Sequence, residues 1–245
     1  MGGWLAPYLL KVRGDNMIGC LLIHGFTGSP FEVEPLADFL QERTDWEIVV
    51  PTLPGHGETL ELKGVKHIEW IEHAEDELQA LIEKCDEVYV IGFSMGGLIA
   101  SYLSVKYEVN KLVLLSAAAY YVNVKQLLKD IGNMIKEGIQ GNLIENELYN
   151  RYKWKVTKTP VLSTYEFRKV VRIARPLLKK VNVPTFIAQG EIDGIVPPKA
   201  AKYIYETISS QEKNLFYSPK AKHLICHSED KHELFEGIHQ FLLNE

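Results

Sequence analysis

Cysteine is scarce. Cys20, Cys85 and Cys226 are three thiols scattered over 245 residues, an odd number at wide spacing, which speaks against a disulfide framework and a zinc cage. Long hydrophobic runs are missing as well. The longest, Leu112 to Val122 with Ser116 inside it, is 11 residues, about half of the roughly 20 that a membrane-spanning helix needs. The opening MGGWLAPYLL has no basic residue before its apolar stretch and does not read as a secretory signal. Met1-Gly2 invites a myristoylation reading, but position 6 is Ala6 rather than Ser or Thr. A cytoplasmic protein is expected. There is no excess of positive charge: 27 Lys and Arg stand against 32 Asp and Glu, a net of −5, so nucleic acid is not an expected partner. H-E-x-x-H, P-loop and dinucleotide fingerprints are absent. No metal, nucleotide or flavin cofactor is therefore expected.

What is present suits one large globular domain or a domain with an insert. Hydrophobic residues make up 46% of the chain, enough for a sizeable core. Short, nearly continuous apolar runs predict strands at Met17 to Ile23, Glu47 to Val50, Val88 to Ile91, Leu112 to Leu115 and Thr185 to Ala188, with a weaker one at Asn214 to Tyr217. Runs without polar alternation fit strands covered on both faces, as in a parallel sheet. Between them lie helical patterns at Pro30 to Glu42, Ile68 to Glu83, Ser94 to Tyr107, Pro198 to Ser209 and Glu229 to Leu243. Alternating strand and helix predicts an α/β fold with a mostly parallel central sheet flanked by helices.

One stretch breaks the rhythm. Residues 120–176 offer helical patterns but no convincing strand, and hold 11 Lys and Arg against 5 Asp and Glu. Thr159-Pro160 reads as an N-cap and first-turn proline opening a helix to about Lys180. This composition predicts a small helical insert over the sheet, with 1–119 and 177–245 as the core. Two extra core helices with solvated basic faces are the alternative. The insert's charge suits transient contact with anionic lipid surfaces, though solvated faces explain it equally. Its aromatics Tyr120, Tyr121, Tyr149, Tyr152, Trp154, Tyr165 and Phe167 could wall an apolar pocket.

The sharpest local signal is Gly92-Phe93-Ser94-Met95-Gly96, followed by Gly97. A bare G-x-S-x-G is weak, but this one follows the apolar strand Val88-Tyr89-Val90-Ile91 and opens a helix. A serine on such a tight turn is held in a strained backbone with its hydroxyl at the carboxyl end of the sheet. The bland alternative is a glycine-rich turn with a capping serine. A serine hydroxyl needs a base, and the base an orienting acid, in the order Ser, acid, His. Asp193, in the loop after Thr185 to Ala188, is the first candidate acid, with Glu191 as competitor. His223, beyond the last strand, is the first candidate base, with His227 as competitor, while His24 and His56 precede the serine and break the order. Oxyanion donors would be the N–H of Met95, after the serine, and of Phe26, in the loop His24-Gly25-Phe26-Thr27-Gly28. Phe26 could equally be a core aromatic and His24 a hydrogen-bonded structural histidine. Cys226 near His223 reads as a buried, inert thiol, since no elbow carries it.

With these residues in place the chain resembles the α/β-hydrolases, and among them the small bacterial carboxylesterases and monoacylglycerol lipases. The likeness runs from His24-Gly25-Phe26-Thr27-Gly28 through Gly55-His56-Gly57, the serine elbow, Thr159-Pro160 and the Asp193 loop ending Val196-Pro197-Pro198 to His223. It departs at Lys222, where the family often has glycine. The resemblance implies an α/β-hydrolase fold with a small helical cap at 120–176. It also implies a Ser94, Asp193 and His223 triad, with Phe26 and Met95 as the oxyanion hole. The activity implied is hydrolysis of small-molecule esters, of short- to medium-chain acyl esters or monoacylglycerols, without a cofactor. A thioesterase or C–C hydrolase on the same triad is the alternative, and a non-catalytic receptor of this fold is the alternative from another class.

Overall fold

In the computed structural model, residues 16–119 and 159–244 are described. Six strands form one sheet: β1 (Ile18–Ile23), β2 (Glu47–Val49), β3 (Glu87–Phe93), β4 (Lys111–Leu115), β5 (Thr185–Gly190) and β6 (Lys213–Ser218). Their order is β2-β1-β3-β4-β5-β6, and every neighbouring pair is parallel. All six predicted strands are there, β3 and β5 each longer at both ends or at the carboxyl end than the apolar run suggests. Among the described residues six α-helices accompany them: α1 (Glu34–Gln41), α2 (His67–Lys84), α3 (Met95–Lys106), α4 (Val161–Ala174), α5 (Lys199–Thr207) and α6 (Lys231–Leu243). Among the described residues no helix is long and apolar enough to cross a membrane.

The apolar runs are continuous because helices cover both faces. In β1, Leu21 and Ile23 pack toward α2, α3, α4 and α5, while Cys20 and Leu22 pack toward α1 and α6. The same division holds in β3, with Val88 and Val90 on one side and Tyr89, Ile91 and Phe93 on the other. A side chain fully buried in this way contributes about 1.5–3 kcal/mol.

Two helices depart from their predicted outlines, each at a proline. The pattern Pro30 to Glu42 is a short 3-10 turn, Pro30–Glu32, and then α1 with Pro35 in its first turn. Pro35 has no N–H to return to Phe31, so the α-helix starts afresh where that N–H is not needed. At Thr159-Pro160 the N-cap is Pro160 itself, with ψ 144°. The helix runs as α to Ala174 and continues as a 3-10 segment, Arg175–Lys180, because Pro176 cannot donate to Arg172. The predicted insert falls mostly on 120–158, outside the described residues, and Tyr120, Tyr121, Tyr149, Tyr152 and Trp154 lie there.

α4 is fixed against α2 and α3. Ser163 Oγ donates to the Leu62 carbonyl at 3.1 Å, and Phe167, Val170, Val171 and Ala174 are buried. The Glu166 carboxylate accepts from the His67 N–H at 3.1 Å, from the His67 ring at 2.6 Å and from Lys169 Nζ at 2.7 Å. Burial pushes the Glu166 carboxyl up, but the Lys169 and His67 hydrogen bonds outweigh it and bring it down to about 2. A depressed carboxyl stabilises the fold above its unfolded value and loses that contribution as pH falls through the folded one. The stability that Glu166 supplies should therefore be present at neutral pH and vanish between about 4.5 and about 2. Denaturant titrations at several pH values should show Glu166→Gln less stable than the parent at pH 7 and the gap closing toward pH 2. A gap constant across that range would sink this account.

Candidate active site

The strand order reverses at β1. The chain leaves β1 outward to β2 and returns on its other side to β3. In an open parallel sheet the crevice at the carboxyl ends beside such a reversal is where ligands bind. The backbone is strained at that same edge. Thr27 (φ 63°), Ser94 (φ 53°) and Ser116 (φ 45°) are the non-glycine residues with left-handed φ among the described residues. They follow β1, β3 and β4, and each such conformation costs on the order of 1–3 kcal/mol.

Ser94 turns β3 directly into α3, with φ 53° and ψ −111°. Both of its backbone groups are tied to the β4 end: its N–H donates to the Leu115 carbonyl at 2.9 Å, and its carbonyl accepts from the Ala118 N–H at 3.2 Å. The turn needs Gly92, where a Cβ would lie 2.3 Å from the Gly96 carbonyl oxygen, and its docking against β1 needs Gly96. A Cβ there would lie 2.2 Å from the Ile23 carbonyl oxygen and 2.6 Å from that of His24. That close approach sets the start of α3 against the end of β1, from which the 24–28 loop departs.

Three of the predicted residues meet. His223 Nε2 lies 3.1 Å from Ser94 Oγ, and His223 Nδ1 lies 2.8 Å from Asp193 Oδ2. All three residues are buried, and the Phe93 ring packs on the imidazole with centroids 4.9 Å apart. Asp193 Oδ1 accepts the N–H groups of Ile195 at 2.8 Å and Val196 at 2.9 Å. Those bonds fix the carboxylate so that its acceptor oxygen requires the Nδ1–H form of the imidazole. Nε2 is then the nitrogen left to accept the serine proton.

The loops carrying Asp193 and His223 are stitched together. Glu191 N–H donates to the Ser218 carbonyl at 3.0 Å and Ile192 N–H to that of Ala221 at 3.3 Å. Gly190 makes the approach possible, since a Cβ there would lie 2.2 Å from the Ala221 carbonyl oxygen. Sequence reasoning passed over Gly190 and its neighbour Gln189. Their signal was a polar residue and a glycine closing an apolar strand just before the acid loop.

The competitors sit elsewhere. Glu191 is exposed, beside the buried Asp193. His227 donates through Nε2 to the Phe31 carbonyl at 2.7 Å, with its ring stacked 4.3 Å from that of Phe31. His24 is buried, its Nε2 accepting the Leu53 N–H at 3.1 Å and its Nδ1 2.9 Å from the Gly25 carbonyl. Burial pushes the Cys226 thiol up to about 12, with the Glu32 carboxylate adding to the rise, so the thiolate is not populated at neutral pH.

Of the two proposed oxyanion donors, Met95 follows the serine directly and Phe26 lies in the loop after β1. Met95 opens α3, so its N–H is among those with no acceptor inside the helix. The 25–28 turn is closed by the Gly28 N–H donating to the Gly25 carbonyl at 3.2 Å, which leaves the Phe26 N–H out of the turn's own bond. The buried Glu32 carboxylate holds this loop by accepting the Gly25 N–H at 2.7 Å. Phe26 is also a core aromatic, its ring stacked on Phe167 at 5.2 Å and near Trp70 at 5.7 Å. Its side chain and its N–H can serve different ends. Among the described residues no group of three or more His, Cys, Asp or Glu side chains is arranged to hold a metal ion.

Comparison with known proteins gives the geometry a family. The chain is 26% identical over 231 residues to a thermostable monoacylglycerol lipase of Bacillus sp. (strain H-257), covering 93% of this chain and 91% of that one. It is 23% identical over 243 residues to a carboxylesterase of Bacillus subtilis (strain 168), covering 96% and 95%. Among solved structures, one of the metagenome-derived lipolytic enzymes LipS and LipT superposes with a TM-score of 0.74 at 23% identity, covering 93% of this chain and 94% of that one. That likeness shows a shared fold. The family model described as serine aminopeptidase, S33, matches residues 17–230, a span that runs from the start of β1 past His223, and the chain belongs to this family of α/β-hydrolases.

Proposed function

We propose that the protein is a serine carboxylic-ester hydrolase that works through an acyl-enzyme, with short- to medium-chain acyl esters or monoacylglycerols as substrates. The observation that carries the reading is the continuous hydrogen-bond chain from Asp193 through His223 to Ser94 on a strained elbow. His223 takes the Ser94 proton as the hydroxyl attacks the ester carbonyl, and Asp193 stabilises the imidazolium. The N–H groups of Phe26 and Met95 receive the oxyanion. His223 then protonates the leaving alkoxide, and water, deprotonated by the same imidazole, releases the acid. Because only neutral imidazole accepts the proton, turnover falls in acid.

The substrate class leans on the relatives named monoacylglycerol lipase and carboxylesterase, which match over nearly the whole chain. The family description names an aminopeptidase, which the same triad could serve. We read 120–176 as a cap whose aromatics line the acyl pocket, with α4 and Phe167 its inner end. Each methylene buried there contributes about 0.8 kcal/mol, roughly fourfold in specificity. Medium-chain esters should then be favoured over acetyl esters and over long-chain triacylglycerols. One experiment tests the whole reading. The chain is labelled with a fluorophosphonate, the adduct located by mass spectrometry, and turnover measured on p-nitrophenyl esters of increasing length, monoacylglycerols, acyl-CoA and amino-acid p-nitroanilides. Label on Ser94 with kcat/KM rising from acetyl to medium-chain esters is expected. Label elsewhere removes the mechanism, and preference for acyl-CoA or an anilide replaces the substrate class.

A further inference from the structure

Asp193 accepts four hydrogen bonds, one of them from a side chain with no role in the reaction as derived so far. Two come from the Ile195 and Val196 N–H groups and one from His223. The fourth comes from Gln189 Nε2, 2.8 Å from the same Oδ2 that receives the imidazole N–H. Gln189 is fully buried on β5, where the preceding residues are Thr185, Phe186, Ile187 and Ala188. Its Nε2 also donates to the Val196 carbonyl at 3.1 Å. Two acceptors at one nitrogen fix the amide's orientation, since the reversed amide would set Oε1 against both. Oε1 is buried with no hydrogen-bond partner among the described residues. Leu or Met would fill the same place without burying an orphan oxygen. The amide's donating end is therefore what distinguishes glutamine at this position.

We propose that Gln189 is a positioning residue, which sets the plane of the Asp193 carboxylate and moderates its pull on the His223 proton. The proposal rests on the Ser94, His223 and Asp193 reading above. Oδ2 divides its acceptor strength between two donors, and the positive end of the Gln189 amide faces the side where imidazolium would form. Without that donor, Oδ2 serves His223 alone and favours the imidazolium more strongly. The base would then be protonated over a wider acid range.

The other groups around the imidazole come from four segments. Ser94 faces Nε2, and the Phe93 ring lies on the face of the imidazole. Lys222 and Glu191 are exposed on the two loops. Cys226, in the segment after His223, is buried and held protonated, and Glu32 acts on that thiol. Asp193 is the carboxylate hydrogen-bonded to the ring.

The test is an NMR titration of the His223 ring in the full chain carrying Ser94→Ala, comparing Gln189 with Gln189→Met and Gln189→Glu. The midpoint should rise by roughly half a pH unit to one pH unit with Gln189→Met. With Gln189→Glu the buried carboxyl would face two acceptors, Asp193 Oδ2 and the Val196 carbonyl, so it should hold its proton, donate to Oδ2 in place of the amide and keep the midpoint near that of the parent. With Ser94 restored, the acid limb of kcat/KM should move with the midpoint while KM stays within about twofold. An unmoved midpoint in Gln189→Met, with activity lowered equally at every pH, would mean that Gln189 only packs, and would overturn the proposal. If Gln189→Met does not fold, Gln189→Leu, which also removes the donor, carries the same comparison. The titration judges Gln189 even if Ser94→Ala proves active, an outcome that would fail the reading of the reaction instead.

Discussion

Ser94→Ala should lower kcat by on the order of 10⁴- to 10⁶-fold, with KM and the unfolding transition little changed. The variant removes one oxygen and leaves the elbow as it was, since the Ser94 backbone is held by Leu115 and Ala118 rather than by its hydroxyl. Alanine meets the same left-handed φ penalty as serine, so the fold sees almost no difference. His223→Ala should be as severe, because members of a triad act as a unit and losing either removes covalent catalysis. His227→Ala is the control. Its ring lies on Phe31 and donates to the Phe31 carbonyl, so its loss should cost some stability and at most a few-fold in turnover. Steady-state kinetics on a p-nitrophenyl ester, with circular dichroism to confirm folding, decides between them. A folded Ser94→Ala that keeps most of its activity, or a dead His227→Ala beside an active His223→Ala, would discard the mechanism.

The reach of sequence reasoning here has a physical boundary. Parallel strands buried on both faces write themselves as apolar runs, so β1, β3, β4 and β5 are visible as Leu21-Leu22-Ile23, Val88-Tyr89-Val90-Ile91, Leu112 to Leu115 and Phe186-Ile187-Ala188. The elbow is visible for the same reason, as Ser94 sits between a continuous apolar strand and an almost wholly buried helix. The prolines were harder. Pro35 and Pro176 lie inside apolar patterns that read as continuous helix, and the break appears only once the missing N–H is counted.

Support around the site was not legible, because it depends on register between distant segments. Nothing in the sequence says that Glu32 will reach the Gly25 N–H, or that Gln189, 4 residues before Asp193, will reach its carboxylate. Both are polar residues in places where local pattern permits an apolar one. The cost of burying a polar group is the clue that they have partners. Naming the partner takes the fold.

Asp193→Asn should reduce kcat/KM by on the order of 10⁴-fold. The present geometry dictates which way the amide would lie. The Oδ1 position receives two backbone N–H groups, from Ile195 and Val196, so the asparagine oxygen must occupy it. Its NH₂ then falls at the Oδ2 position, facing the ring nitrogen of His223 that Asp193 now meets at 2.8 Å. There Nδ1 must be the acceptor, which places the ring proton on Nε2, pointing at Ser94 Oγ. An imidazole already protonated at that nitrogen cannot accept the serine proton. The same NH₂ would also oppose the Gln189 Nε2 donor, now 2.8 Å from that site, so the variant should lose some stability together with its activity. Glu191→Gln changes the charge of an exposed neighbour whose N–H, not its carboxylate, holds the loop. It should stay within a few-fold of the parent. Rates for both variants on one ester, together with the His223 ring tautomer read from nitrogen chemical shifts, provide the check. An active Asp193→Asn with the proton still on Nδ1, or an inactive Glu191→Gln, would move the acid away from Asp193.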